Sequence, residues 1–364
     1  MKPSQANSDP IQRKLAPRQL GYRMPAEWEP HRATWLAWPH NLETWPKQLE
    51  LVKEIWTKMI RAISLEEEIR LLVNDERAQA EATKRLSSVR AVMKHVRIYR
   101  VPTVDVWIRD YGPTFITRRG VEGKLAFIDW AFNAWGQKYE SYVQDDRVAK
   151  EIAALLRIPV FKPGIVLEGG SIDVNGCGTC LTTEQCLLNP NRNPRLGRSE
   201  IERALRDYLG VDHFVWLGEG IVGDDTDGHI DDIARFVNPT TVVCALEEDS
   251  KDKNYAPLQE NYERLQDATD QDGKKLTVVP LPLPGRVGQK GMRLPASYAN
   301  FYIANGTVLV PTYNHSKDAA ALAILGNLFP DRKVVGIPCG PLVVGLGAIH
   351  CVTQQEPLIN GSGP

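Results

Sequence analysis

The sequence predicts an α/β fold that repeats one hairpin–helix–strand unit around an axis, within a single domain. Three observations predict it. The unit recurs at intervals of about sixty residues, which marks a repeat architecture rather than two unrelated domains. Asn175-Gly176 and Asn305-Gly306 lie between short apolar runs, and such two-residue hairpin signals are awkward for a purely parallel, doubly wound sheet. No low-complexity linker divides the chain.

The bulk numbers set the frame. The 364 residues, 43% of them hydrophobic, suffice for a substantial core. Charges nearly cancel, 44 basic against 45 acidic, so no polyanion-binding surface is advertised and nucleic acid is not an expected partner. No run approaches the roughly 20 apolar residues that span a bilayer, and the N-terminus lacks the apolar core of a secretory signal. Six cysteines in a chain this long read as reduced thiols, so a cytoplasmic setting is expected. What is expected is a soluble intracellular enzyme or binding protein.

Taken in order, residues 1–20 are polar, carry Pro3, Pro10 and Pro17, and show no periodicity. They predict a mobile arm ahead of a single domain over 21–364, with order starting near Met24. Residues 34–38 form a short aromatic-rich strand ended by Pro39. Between about 46 and 65, Leu51, Val52, Ile55, Trp56, Met59, Ile60 and Ile63 keep helical spacing on one face. A strand at 69–73, a helix to about 94 and a strand at 96–101 follow. The unit then repeats. Hairpin 114–117 with 125–130 leads to a helix over 145–156 and a strand near Val160. Hairpin 172–174 with 179–182 leads to a helix over 199–209 and a strand at 213–217. Hairpin 233–237 with 242–246 leads to a helix near 258–266 and a strand at 276–279. Hairpin 301–303 with 308–310 leads to a helix over 316–328 and a strand at 333–337.

The chemistry gathers at the end of the chain. The apolar run 341–344 reads as a buried strand leading into Gly345, Leu346, Gly347, Ala348, Ile349, His350 and Cys351. Glycines permit a sharp turn and close approach of another molecule, one way to present a cysteine nucleophile. Polar residues precede the hairpins in otherwise apolar or glycine-rich settings. Asp110 sits in Trp107-Ile108-Arg109-Asp110-Tyr111-Gly112, Glu168 in Leu167-Glu168-Gly169-Gly170, and His229 with Asp231 in Gly228-His229-Ile230-Asp231. Asp110 and Glu168 are 58 residues apart, and Glu168 and His229 are 61 apart. Units related by rotation would bring these residues and Cys351 together on the axis. His229 and Asp231 would point the same way from an extended segment. Three carboxylates suit a cation, and a planar guanidinium offers five N–H donors in a fixed fork. A thiolate facing its carbon could attack while a histidine manages protons. Trp107, three residues from Asp110, is placed to wall such a pocket.

Two other clusters read as structural. Cys177 and Cys180 form a C-x-x-C with Cys186 six residues on, but neither a second pair nor a nearby histidine in sequence completes a zinc set. Asp224, Asp225 and Asp227 lack the downstream glutamate of an EF-hand.

With these residues identified, the sequence resembles the agmatine deiminase family, in the guanidine-modifying superfamily with bacterial peptidylarginine deiminases. The resemblance rests on MPAEWEPHRATWLAWPHN from Met24, DVWIRDYGPTF from Asp105 and LEGGSIDVNGCGTCLTTEQCLLNPNRNP from Leu167. It continues through GDDTDGHIDDIARFV from Gly223, LPASYANFYIANGTVLVPTYN from Leu294 and IHCVTQQEP from Ile349. It implies a five-bladed αβ-propeller (the pentein fold) and conversion of agmatine and water to N-carbamoylputrescine and ammonia. In the roles so implied, Cys351 is the nucleophile, His229 the acid and base, and Glu168 its helper. Asp110 and Asp231 hold the guanidinium. No metal or organic cofactor is implied, and family members are often dimers or larger, so a homo-oligomer is expected. The chain departs from the family's usual Gly-Gly-Gly-Asn-Ile-His-Cys at Leu346 and Ala348, and either substitution could reshape the pocket end away from the guanidinium. Another guanidine, free or peptidyl arginine, is therefore the alternative substrate. A silent guanidine- or polyamine-binding protein is the alternative class, against which the intact thiol argues.

Overall fold

The structure, a computed structural model, describes residues 15–118, 124–289 and 291–359. Five sheets share one connectivity. In each of four, an antiparallel pair is followed through a helix by a strand that adds in parallel. The pairs are Thr114–Arg118 with Lys124–Ile128, Asp173–Val174 with Thr179–Thr183, Ala234–Asn238 with Thr241–Leu246, and Tyr302–Ile303 with Thr307–Thr312. Val160–Phe161, His213–Leu217, Thr277–Pro282 and Lys333–Pro338 are the respective parallel additions. The fifth sheet joins the two ends of the chain. His31–Ala37 runs parallel to Glu68–Val73 and Val96–Arg100 follows, while Gln354–Pro357 pairs antiparallel with His31–Ala37.

The helices cover the sheets because one face of each is apolar. Along Leu49–Ile63, Val52, Ile55, Trp56, Met59, Ile60 and Ile63 are buried, each such side chain contributing about 1.5–3 kcal/mol. Asp75 accepts from the Ala78 N–H and starts Glu76–Ser88, while Gly210, at φ 70°, closes Arg198–Leu209. The hairpin turn at Asn175 is held by its side chain, which accepts from the N–H groups of Cys177, Gly178 and Thr179.

Some expectations need correction. The run 341–344 is no strand: Leu342–Gly345 forms a 3-10 turn that Pro341 leads into at φ −65° and Leu346 ends at φ 70°. A short apolar run has no periodicity to separate strand from helix, and proline at its head favours the turn. Of the arm expected over 1–20, residues 1–14 lie outside the described residues, whereas Pro17–Leu20 is a 3-10 turn whose Arg18 pairs with Asp212 at 2.6 Å. Order therefore begins before Met24. The helix expected to reach 94 stops at Ser88, and 3-10 turns occupy Met93–His95 and Glu140–Arg147.

Candidate active site

Four short segments leading into the sheets meet in the interior: Ile108–Tyr111, Gly169–Ser171, Ile230–Asp232 and His350–Val352. They carry or adjoin Asp110, Glu168, His229 with Asp231, and Cys351, which the sequence spacing expected to lie together. The His229–Asp231 segment is not extended, however: His229 caps a 3-10 turn, and the sharp bend is what turns both side chains inward. Close approach depends on glycine. A Cβ on Gly170 would lie 2.6 Å from His229 Nδ1 and 2.9 Å from Asp110 Oδ1. One on Gly347 would meet the Trp107 ring at 2.5 Å.

The thiol of Cys351 opens onto a cavity of about 900 Å³, with Asp110, Trp107 and Trp135 also in its wall. Glu168, His229 and Asp231 are buried. Asp110 is clamped by Trp135 Nε1, which donates to Oδ2 at 2.9 Å, and by Gly170 N, which donates to Oδ1 at 3.1 Å. His229 Nδ1 lies 3.7 Å from Asp110 Oδ1, and its Nε2 lies 3.8 Å from Glu168 Oε2. These are ion-pair distances, too long for strong hydrogen bonds. Cys351 Sγ is 3.8 Å from Asp231 Oδ2. Both nitrogens of His229, Glu168 Oε2 and Asp231 Oδ1 are buried without a hydrogen-bond partner.

Electrostatics follow from burial among acids. Burial raises Asp110 to about 6, with the Asp231 and Glu168 charges adding and His229 opposing. Burial alone would lower His229, but Asp110 first, then Cys186 and Glu168, hold it well above the ordinary histidine value. Burial, and then Asp231, Asp232 and Asp110, push the Cys351 thiol well up. A cation arriving beside these carboxylates would relieve that pressure and favour the thiolate. Burial also opposes ionisation of Glu168, yet His229 and Arg192 keep it below the usual range, Arg192 Nε donating to Oε1 at 2.9 Å. Asp231 is likewise held low against burial, chiefly by His350.

Sequence reasoning missed several residues here. His350 stands between two carboxylates, with Nδ1 2.6 Å from Asp231 Oδ2 and Nε2 2.8 Å from Glu27 Oε2. Glu27 also receives Arg109 and Arg235. Asn300 is the other omission, and it had a signal. It precedes the hairpin of Tyr302–Ile303 with Thr307–Thr312, the repeat position left unfilled between His229 and Cys351. Its Nδ2 lies 3.1 Å from Cys351 Sγ.

At the cavity wall, Leu346 takes part but Ala348 does not; Ala348 is buried away from the lining. Glu43, Glu140 and Asp225 are also in the wall, and among the described residues no Lys or Arg is. The acidic loop is structural: Asp224 accepts from Thr226 N and Gly228 N, and Asp227 binds Arg192 and Lys138. Sequence gave Cys186 no histidine, but space does. Glu168, Cys186 and His229 have ligand-type atoms all within 4.8 Å of one another, the one such buried set found among the described residues. Glu168 there is already committed to the Arg192 cation, which disfavours a dication.

A model of the family described as Porphyromonas-type peptidyl-arginine deiminase matches residues 23–357. The chain belongs to this family. Within this deiminase family it is 40% identical to an agmatine deiminase of Medicago truncatula, over 93% of this chain and 97% of that one. Among solved structures, an agmatine deiminase of Enterococcus faecalis superimposes with a TM-score of 0.88 at 36% identity, covering 95% of this chain and 98% of that one. An agmatine deiminase of C. jejuni with substrate bound gives a TM-score of 0.82 at 31% identity, covering 92% and 96%.

Proposed function

We propose that this deiminase hydrolyses agmatine to N-carbamoylputrescine and ammonia through a covalent intermediate on Cys351. The observation that carries the reading is the set of buried groups without hydrogen-bond partners gathered around Asp110 and His229: Asp231 Oδ1, Glu168 Oε2 and both nitrogens of His229. Such groups are costly unless a ligand meets them, and a guanidinium supplies donors in the geometry that carboxylates accept. Asp110 and Asp231 grip its nitrogens, Trp107 walls the site, and Glu168 orients the substrate and supports His229. The Cys351 thiolate bonds to the guanidinium carbon. The tetrahedral adduct expels one nitrogen as ammonia, which takes its proton from His229. His229 then removes a proton from water, the resulting hydroxide attacks the amidino carbon, and collapse breaks the C–S bond to release the ureido product and the thiolate. No metal or organic cofactor enters this sequence.

Agmatine over arginine is supported by the cavity wall, whose Glu43 and Glu140 suit a distal ammonium and repel an α-carboxylate. The test offers agmatine, free arginine and a peptidyl arginine side by side and measures ammonia and ureido product. Turnover of agmatine above the others is expected, and Cys351→Ala should bind agmatine without turning it over. Preference for either arginine would move the substrate, and residual activity within about tenfold in Cys351→Ala would end the nucleophile assignment.

We also infer that the five sheets are blades of a five-bladed αβ-propeller, a single domain over 21–364. Their shared connectivity and the sheet that joins both chain ends support this. A cytoplasmic homo-oligomer, dimer or larger, completes the proposal. No helix among the described residues is long and apolar enough to cross a membrane.

A further inference from the structure

We propose that Asn300 is the hydrogen-bond donor that stabilises Cys351 as a thiolate and aims it at the substrate carbon. The proposal rests on Cys351 being the nucleophile. Asn300 is fully buried, ahead of the strand Tyr302–Ile303. Its amide cannot be turned over. Oδ1 accepts from His350 N at 2.9 Å and from Cys351 N at 3.4 Å, so a flipped amide would press NH₂ against two N–H groups. The NH₂ must therefore face Sγ at 3.1 Å, while its second hydrogen goes to Asp232 Oδ1 at 3.0 Å.

The same residue thus reads both the backbone and the side chain of the nucleophile. Its carbonyl fixes the turn that carries Cys351, and its amino group meets the sulfur. The carboxylates facing Cys351 oppose negative charge there. Asp231, Asp232 and Asp110 repel it, and the Tyr313 phenol is close enough to feel the sulfur. The adjoining His350 ring is engaged by Asp231 and Glu27, whereas the Ala348 backbone assists Asn300. As a neutral thiol, Sγ has acceptors at 3.5 Å in Asn300 Oδ1 and 3.8 Å in Asp231 Oδ2. Those contacts are longer than the Nδ2 contact. A donor aimed at sulfur favours the charged form, and it does so before any substrate arrives.

The experiment compares wild type with Asn300→Asp and Asn300→Ser, reading the rate of iodoacetamide alkylation at Cys351 against pH by peptide mass spectrometry. Asn300→Asp keeps the volume and the acceptor for the two N–H groups but removes the donor. Asn300→Ser keeps one O–H that can donate. The alkylation midpoint should move to higher pH in both, more in Asn300→Asp, with about tenfold or greater slowing at neutral pH. Unchanged midpoints in folded variants, whatever happens to turnover, would overturn the proposal, because a merely structural role lowers kcat without moving thiol ionisation. Thermal unfolding reports folding separately. If wild type alkylates at Cys351 but turns over no guanidine, the catalytic reading fails while the midpoints still decide the role of Asn300.

Discussion

Asp110 acts on the fold and on the site with opposite signs, and Asp110→Asn separates the two. Burial, aided by Asp231, raises the carboxyl from 3.8 to about 6. A group whose folded value is raised binds its proton more tightly when folded. It therefore favours folding below its unfolded value, and that contribution is lost as pH rises through the folded one. The difference of roughly two units is worth about 3 kcal/mol, of which about 2 kcal/mol disappears between about pH 4 and 6.5. Asparagine has no such dependence. It must instead turn an NH₂ toward either Trp135 Nε1 or Gly170 N, a pH-independent cost of about 1–3 kcal/mol. Urea unfolding of both proteins across this window should thus show the variant gaining about 2 kcal/mol on wild type. The window stops there because His229, itself held up by Asp110, loses its own share at higher pH. Above this window, where wild-type Asp110 is ionised, the variant should lose about 2–5 kcal/mol of transition-state binding in kcat/KM, the scale for a broken buried charge pair. A stability gap that stays flat with pH, or a variant with normal kcat/KM, would refute the reasoning.

Wild-type kcat/KM should fall below about pH 6 as Asp110 takes a proton and its grip weakens, with Asp110→Asn lacking that limb. Leu346→Gly should leave stability within about 1 kcal/mol, since relief of left-handed strain offsets chain entropy, as read by thermal unfolding. It should also widen the cavity, and the kcat/KM ratio of agmatine to peptidyl arginine should drop. Arg192→Met should cost about 3–5 kcal/mol in urea unfolding, because Glu168 is left charged, buried and unpaired by Arg192. A chelator should leave turnover unchanged; loss restored by zinc would instead assign a metal to Glu168, Cys186 and His229.

The residues ahead of the hairpins were legible because the repeat is written in local signals. Turn residues, helical spacing and short apolar runs mark each unit, and a polar residue ahead of a hairpin stands out in its apolar setting. Asn300 escaped because asparagine before a strand looks like an ordinary turn residue. The network behind the site escaped for a different reason. Asp231 and His350 are 119 residues apart in sequence, and His350 and Glu27 are 323 apart. No local pattern encodes such pairings. The turn at Leu342–Gly345 was misread because four apolar residues carry no period at all.

Those long separations have a physical consequence for how activity appears during folding. Cys351 lies just ahead of Gln354–Pro357, which pairs with His31–Ala37 near the other end of the chain. That register is fixed by Glu356, whose Oε2 accepts from Trp35 Nε1 at 2.9 Å and meets Arg70 Nη1 at 2.9 Å. Glu27 then reaches His350, and His350 reaches Asp231, so this carboxylate is held by both ends of the chain at once. Loop closure over such separations costs entropy before the contacts reward it, so this sheet should be among the last to form. A chain with four sheets built but the ends unpaired would hold Asp110, Glu168 and His229 without a positioned thiol or a pinned Asp231. Activity in refolding should therefore lag tryptophan burial, and weakening the closing register with Glu356→Gln should lengthen that lag. Simultaneous recovery of fluorescence and turnover in both proteins would show that closure is not the limiting step.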